Sequence, residues 1–412
     1  MKKLLDLWKY CAIIMQYQGL AAGLKTLLSI TFAFLLVACS TTVPLASTSE
    51  VMFTTRVPSP TAARPLVTAS PTSPPPIVSP TISVTSVVLS RNTGGVTQLA
   101  WSPDGSLIAS AVSGNTDFSI RLWNVNGQLI QTLIGHTGPI LSQAWSPDGK
   151  LLASGSADQT VRLWDPGGKL VRTITVGRGN VWALAWSPDG ALLATGSIVV
   201  FLNPKVQLWK PDGSLLTTLN TKYSGGKFYN LAWSPDGQRL LGGATDYAVW
   251  RRDGKELAYF PSCEYCTPSW GAAWSPDSLT FAIGDENGNL QLFDRGGHLL
   301  VSRQSSFDIN AIAWSPDGTL LAAGRDVWKS DGNLLTGING SVNSLAWSAD
   351  GKYLAVAADR LITLVRADGV HLAVLSEHTG MVNRVSWSPV GLILASASDD
   401  KTIRLWRLPA AP

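Results

Sequence analysis

An all-β propeller of eight four-stranded blades is the fold that this sequence predicts, and three observations predict it. The phrase Trp-Ser-Pro-Asp-Gly, or a near copy, begins at Trp101, Trp145, Trp186, Trp233, Trp274, Trp314, Trp347 and Trp387, a spacing of about 40 residues that suits one blade per repeat. A second phrase closes each unit, as in Arg121-Leu122-Trp123, Arg162-Leu163-Trp164, Gln207-Leu208-Trp209 and Arg404-Leu405-Trp406. Most of these run into dipeptides such as Asn126-Gly127, Asp212-Gly213 and Asp253-Gly254, which fit two-residue hairpin turns with positive φ. Seven blades is the less favoured count. The sixth unit is the reason for considering it, because Trp314 and Trp328 lie closer together than Trp145 and Trp164.

Within a unit each strand has its own signal. Alternating apolar residues precede the turn, as in Val181-Trp182-Ala183-Leu184-Ala185-Trp186. In the turn, proline fixes φ, aspartate bonds its own backbone and glycine accepts positive φ. A second alternating run follows (Leu151-Leu152-Ala153-Ser154-Gly155), then the closing phrase, then a short outer strand such as Leu170-Val171-Arg172-Thr173-Ile174. Four antiparallel strands per repeat make a propeller blade. The copies decay at Ser278, which replaces Gly, at Ala349, which replaces Pro, and at Val390, which replaces Asp. The eighth unit ends at Leu408, after its third strand. Ile82–Ser90 lies where a fourth strand precedes the next tryptophan phrase, so it is expected to close the ring and remove the exposed edge. The propeller is therefore assigned to residues 82–412.

The chain ahead of it reads as export and tether. Lys25 precedes an apolar run from Thr26 to Ala38 that stops at Cys39, too short for a bilayer span of roughly 20 residues but suited to a signal-peptide core. Leu36-Val37-Ala38-Cys39 resembles the lipobox of bacterial lipoproteins. That resemblance implies cleavage after residue 38, lipidation of Cys39 and a place in the cell envelope on the outer leaflet of a membrane. Met15 is an alternative start, since residues 1–14 add a second apolar patch around Cys11-Ala12-Ile13-Ile14. Residues 39–81 follow as a Ser/Thr/Pro-rich segment with too little apolar surface to fold, kept extended by its prolines. Removing residues 1–38 takes away Lys2, Lys3, Lys9, Lys25 and Asp6, so the formal +4 of the chain falls to about +1. Such a charge steers a protein to neither nucleic acid nor anionic lipid.

The stretch from Gly135-His136 through Trp145 to Trp164-Asp165 resembles a complete WD40 repeat, and the run from His378 to Trp406 is similar. The likeness covers residues 82 to about 408. It implies a buried hydrogen-bonded set in one blade made by His136, Ser154, Asp158 and Trp164, and in another by His378, Ser396, Asp400 and Trp406. The first unit keeps Ser110, Asp117 and Trp123 without a histidine in the preceding loop. These sets are read as structural and not as Ser-His-Asp triads, since each member satisfies a buried neighbour and the pattern recurs between blades. No nucleophile elbow, metalloprotease helix or phosphate loop is present, so the chain is read as no enzyme, with no cofactor and no metal. Cys263 and Cys266 lie in the loop between the fourth and fifth units. Such a pair suits a redox-active dithiol, half of a zinc site or a small disulfide; no second pair completes a zinc site, and in an exported protein the disulfide is the favoured reading.

The resemblance also implies a partner-binding face reached by the loops that enter each inner strand. The position four residues before each leading tryptophan is a recurring contact there; it reads Thr97, Leu141, Trp182, Tyr229, Trp270, Asn310, Asn343 and Asn383. Trp182, Tyr229 and Trp270 form an aromatic arc of the kind that anchors ligands, and Asn310, Asn343 and Asn383 an amide arc. The expected function is a monomeric, surface-tethered scaffold for a protein or peptide. A glycan-binding module is the first alternative, and a propeller enzyme resembling quinoprotein dehydrogenases the second.

Overall fold

The Trp-Ser-Pro-Asp-Gly turn is held by its own side chains. The Gly149 amide donates to the Ser146 carbonyl over 2.9 Å, with Gly149 at φ +70°. Ser146 Oγ donates to Asp148 Oδ1 at 2.7 Å and accepts the Leu151 amide at 2.9 Å. The serine–aspartate bond recurs at Ser102, Ser187, Ser234, Ser275, Ser315 and Ser348. The decayed copies are repaired locally. Ser278 adopts the glycine conformation at φ +63°, which costs a residue with a Cβ about 1–2 kcal/mol. Its Oγ accepts the Asp236 amide of the preceding blade at 2.9 Å, a bond that glycine cannot make. Where Val390 replaces aspartate, Ser388 Oγ turns to the Val390 carbonyl instead, at 2.7 Å.

In the computed structural model the described residues are 83–409, apart from 91, 114–115, 199–204, 220–229, 244–245, 261–270, 306, 331 and 339. The chain divides into units Met1–Ser73 and Pro74–Pro412, and every described residue belongs to the second. Eight separate four-stranded antiparallel sheets are built, as expected. Blades 1 to 7 occupy residues 95–133, 140–175, 180–219, 230–260, 271–304, 312–337 and 342–375. The sixth blade fits its short repeat with an inner strand of three residues, Ile312–Trp314, and three further strands of four. Blade 8 is composite. Thr85–Leu89 lies against Ile403–Arg407, with Ser86 opposite Trp406 and Leu89 opposite Ile403, and completes the sheet begun at Val382.

Exposure grades outward across each blade. Second strands such as Leu152–Ser156 and Tyr353–Ala358 are buried along their whole length, so both faces are packed and small residues prevail. The outer strand Leu170–Thr175 is exposed except at Ile174. The apolar residues form eight clusters, each at a seam between neighbouring blades. Ile174, Val176, Val181 and Trp209 pack between blades 2 and 3. Leu89, Trp101, Trp123 and Leu405 pack between blades 8 and 1.

The leading tryptophans join the blades. Each indole Nε1–H donates across the seam to the carbonyl of the residue before the tryptophan of the preceding blade: Trp145 to Ala100, Trp186 to Ala144, Trp233 to Ala185, Trp274 to Ala232, Trp314 to Ala273, Trp347 to Ala313 and Trp387 to Ala346. Trp101 donates to Ser386 and closes the circle, all eight bonds lying between 3.0 and 3.3 Å.

One turn differs from the sequence expectation. At Asn126-Gly127 only the glycine has positive φ, +81°, and the Gly127 amide bonds the Asn124 carbonyl while the Asn124 amide bonds Gln128, both at 3.0 Å. The register shifts by one residue between Leu122 and Trp123. This is a type I turn followed by a glycine bulge, not a two-residue turn, which would need positive φ at both centres. The same shift occurs before Asp212-Gly213 and Asp253-Gly254.

Deleting residues 82–90 should abolish cooperative folding or cause aggregation, because it bares the Ile403–Arg407 edge and removes the fully buried Leu89. Deleting 42–75 should leave the melting point unchanged. Thermal melts of the two deletions check this, and equal melting points would refute the closure.

Candidate functional site

Two blades carry a serine, a histidine and an aspartate connected as in a hydrolase. His136 Nδ1 lies 2.7 Å from Asp158 Oδ2, and Nε2 lies 2.8 Å from Ser154 Oγ. Trp164 Nε1 donates to the same Oγ at 2.9 Å. The set around His378 repeats this, with 2.7 Å to Asp400, 2.7 Å to Ser396 and 2.8 Å from Trp406 to Ser396. The indole can only donate, so Ser154 Oγ accepts from it, and the same hydroxyl also lies within reach of His136 Nε2 and of the Arg162 carbonyl at 3.4 Å. Nδ1 of the imidazole faces the carboxylate and Nε2 the hydroxyl. Burial holds both histidines below the ordinary value of 6.5, outweighing the pull of Asp158 and Asp400. Burial raises the Asp400 carboxyl, but bonds from Thr402, His378 and the Thr379 amide outweigh it and bring the group to about 2. Ser154 and Ser396 are 0 % exposed. No substrate can reach either hydroxyl, so these sets brace the loop before each blade against its third strand.

The tryptophan of the third strand follows a rule across blades. Its indole bonds the hydroxyl of the second strand at Ser110, Ser154, Thr195 and Ser396. Where the tryptophan is lost, at Phe293 and Val365, the hydroxyl position is apolar too, Ile283 and Val356. In blade 4 the position is Gly242, where a Cβ would lie 2.7 Å from the Trp250 ring. In blade 6 it is Ala323, and Trp328 Nε1 is buried without a partner. In blade 1, Asn92 stands nine residues before Trp101, as His136 does before Trp145, and it is buried there.

The positions assigned from sequence to a partner-binding face share a backbone feature. In blades 1, 2, 3, 7 and 8 the inner strand carries a β-bulge four residues before the tryptophan, at Thr97, Leu141, Trp182, Asn343 and Asn383. A bulge leaves one residue outside the ladder and re-aims its side chain. All five side chains are partly exposed. They ring the mouth where each outer strand hands over to the next blade. Asn310 is partly exposed ahead of the inner strand of blade 6, while Tyr229, Trp270, Cys263, Cys266 and Cys39 lie outside the described residues. The asparagines have a second duty that sequence does not reveal. Asn343 Nδ2 donates to the Val382 carbonyl at 3.2 Å, and Asn383 Nδ2 to the Val96 carbonyl at 3.0 Å and to Asp399 at 2.7 Å. Each straps its inner strand to the next.

Two family profiles match the chain. One, described as the IFT122 first beta-propeller, matches residues 95–340. The other, the WD domain, G-beta repeat, matches 332–364 and 369–407. None of the curated proteins compared with the chain matches it.

Acid should loosen the two braced blades. With folded values below 6.5, the histidines contribute stability that is complete above pH 6.5 and declines as pH falls through those lowered values. The Asp400 contribution holds above its unfolded value of 3.8 and is lost as pH falls through about 2. Denaturant melts should therefore show stability dropping as pH falls below 6.5, and His136→Gln with His378→Gln should flatten that limb while lowering stability at pH 7. Separately, Ala323→Ser should raise unfolding free energy by about 1 kcal/mol, the worth of one hydrogen bond given to the Trp328 indole. An unchanged or lower midpoint would refute that placement.

Proposed function

The chain belongs to the family of the IFT122 first beta-propeller, built from WD-domain repeats, and on that premise we propose that it is a non-catalytic scaffold, tethered to a cell surface, that holds a protein or peptide at the bulged mouth. WD40 propellers generally mediate protein interactions, and the observation that carries the reading here is the recurring bulge. Five blades place an extra, partly exposed residue at the same level of the same face, which makes a rim of convergent side chains from a rigid frame. Trp182 is the described aromatic of that rim, with Tyr229 and Trp270 at the equivalent positions of the next two repeats. Aromatics of this kind supply large contact area at little loss of rotamer freedom.

The route of the chain supports the tether. Thr85 pairs with Arg407, and Arg407 pairs with Ile393, which follows the turn of blade 8. The strand thus enters at the face of the Trp-Ser-Pro-Asp-Gly turns and runs toward the bulged mouth. A spacer ending there would join the propeller at its turn face and leave the mouth free of the linker. The sealed serines of the two Ser-His-Asp sets favour a scaffold over a hydrolase.

Pull-down from the native envelope, in parallel with a glycan array, tests the proposal. Combined Trp182→Ala, Tyr229→Ala and Trp270→Ala should abolish capture of the protein partner with little change in melting point. Loss of folding would show the three to be core, and capture of glycans alone would replace the peptide reading.

A further inference from the structure

The inner strands of the propeller are almost free of charge. From Gly95–Trp101 in blade 1 to Val382–Trp387 in blade 8, the described inner-strand residues include one ionisable side chain, Arg384. Its neighbours along the strand are buried or half-buried, yet Arg384 itself is exposed. Strand Ile393–Ser398 covers β-strand Val382–Trp387 on its outer edge, and the indole bonds of Trp387 and Trp101 fix inner strands on either side. Arg384 follows the bulged Asn383 directly, so its exposed side chain lies just inside the mouth of the ring.

The same level of the other inner strands, three residues before each tryptophan, reads Gln98, Ser142, Ala183, Asn230, Gly271, Ala311 and Ser344. Its polar members are committed to neighbouring strands. Gln98 Nε2 donates to the Leu141 carbonyl at 3.0 Å, Asn230 Nδ2 to Ala272 at 2.9 Å, and Ser344 Oγ accepts the Val385 amide at 3.2 Å. Arg384 departs from that pattern. Among the described residues no hydrogen bond or ion pair reaches its guanidinium; water touches the group, but the dense protein around it still lowers its pKa by partial desolvation. At the remaining positions Ala183 and Gly271 are buried and Ala311 is half-buried, and none of the three carries a polar side chain. Among the described inner-strand residues Arg384 is thus the one cation, and no described carboxylate pairs with it.

We propose that the inside of the bulged mouth is a carboxylate site, in which Arg384 receives an aspartate or glutamate side chain, or a chain terminus, of a peptide lying across it. One planar guanidinium presents one fork, and a carboxylate matches a single fork with two parallel hydrogen bonds. A phosphate dianion is ordinarily held by several cations or backbone amides together, which this level does not offer. The proposal rests on the scaffold reading and names the chemistry of its ligand.

Calorimetric titration of the purified full chain with three blocked tripeptides tests it. One carries a central aspartate and an amidated end, one a free terminal carboxylate, and one asparagine in place of aspartate with an amidated end. At least one acidic peptide should bind saturably while the asparagine peptide does not, and which one binds separates side chain from terminus. Arg384→Gln should weaken that binding roughly tenfold or more and should melt no lower than the parent, since it removes an uncompensated charge. Arg384→Lys, which keeps the charge but loses the fork, should bind at an intermediate level. Equal binding by the parent and Arg384→Gln, or no binding of either acidic peptide, overturns the site. Silence of the tripeptides with envelope capture intact would sink the carboxylate site alone; tripeptide binding without any captured protein would sink the scaffold reading alone.

Discussion

Each blade reaches back to the one before it through the indole of its leading tryptophan, and since Trp101 reaches Ser386 these bonds form a closed circle with one sense of rotation. Every inner strand is both donor and acceptor. An indole N–H buried without a partner costs about 1–3 kcal/mol, so a blade displaced from the ring forfeits a bond on both flanks. The tryptophan ring also supplies much of the seam, packing with aliphatic residues from the second and third strands of its neighbour. The polar and apolar parts of blade cohesion are therefore carried by the same side chain.

That ring tolerates decay elsewhere because the defects are compensated pairwise and close by. Ser278 keeps a strained backbone and gains a bond to Asp236. Ile283 and Val356 drop the hydroxyl in the blades whose closing residue no longer needs an acceptor, Phe293 and Val365. Gly242 keeps clear of the Trp250 ring. Ala323 beside Trp328 is the described place where compensation is incomplete. Blade 6, which holds it, also has the shortest inner strand.

The blade count, the hairpins and the closing strand were legible because they depend on local matters: turn residues, two-residue alternation and repeat length. The His136 and His378 sets were expected only through the resemblance to a WD40 repeat, and their bonds are seen in the structure. What stayed hidden involves a backbone partner or a ladder count. The acceptor of each indole is a carbonyl, marked in the chain only by the alanine that usually precedes the tryptophan. A bulge at Trp182 or Asn383 exists only relative to the strand beside it. The straps made by Asn343 and Asn383 end on the Val382 and Val96 carbonyls, so the amides looked uncommitted. The glycine turns were misread because a glycine requirement at one centre does not say whether its neighbour shares the conformation.

The composite eighth blade has a consequence for how the molecule is made. Thr85–Leu89 leaves the ribosome before any other strand of the ring, and Ile403–Arg407, its only neighbour in the sheet, leaves last. Until then the growing array has an unpaired edge at its tail, and the strand that will cover it waits beside blade 1. A chain cut short by proteolysis or premature termination keeps well-packed blades but cannot finish the circle, and it presents a bare strand to other chains. Closure of the ring thus needs strands from far apart in the chain, and a molecule lacking either one leaves a bare edge open to pairing with another chain.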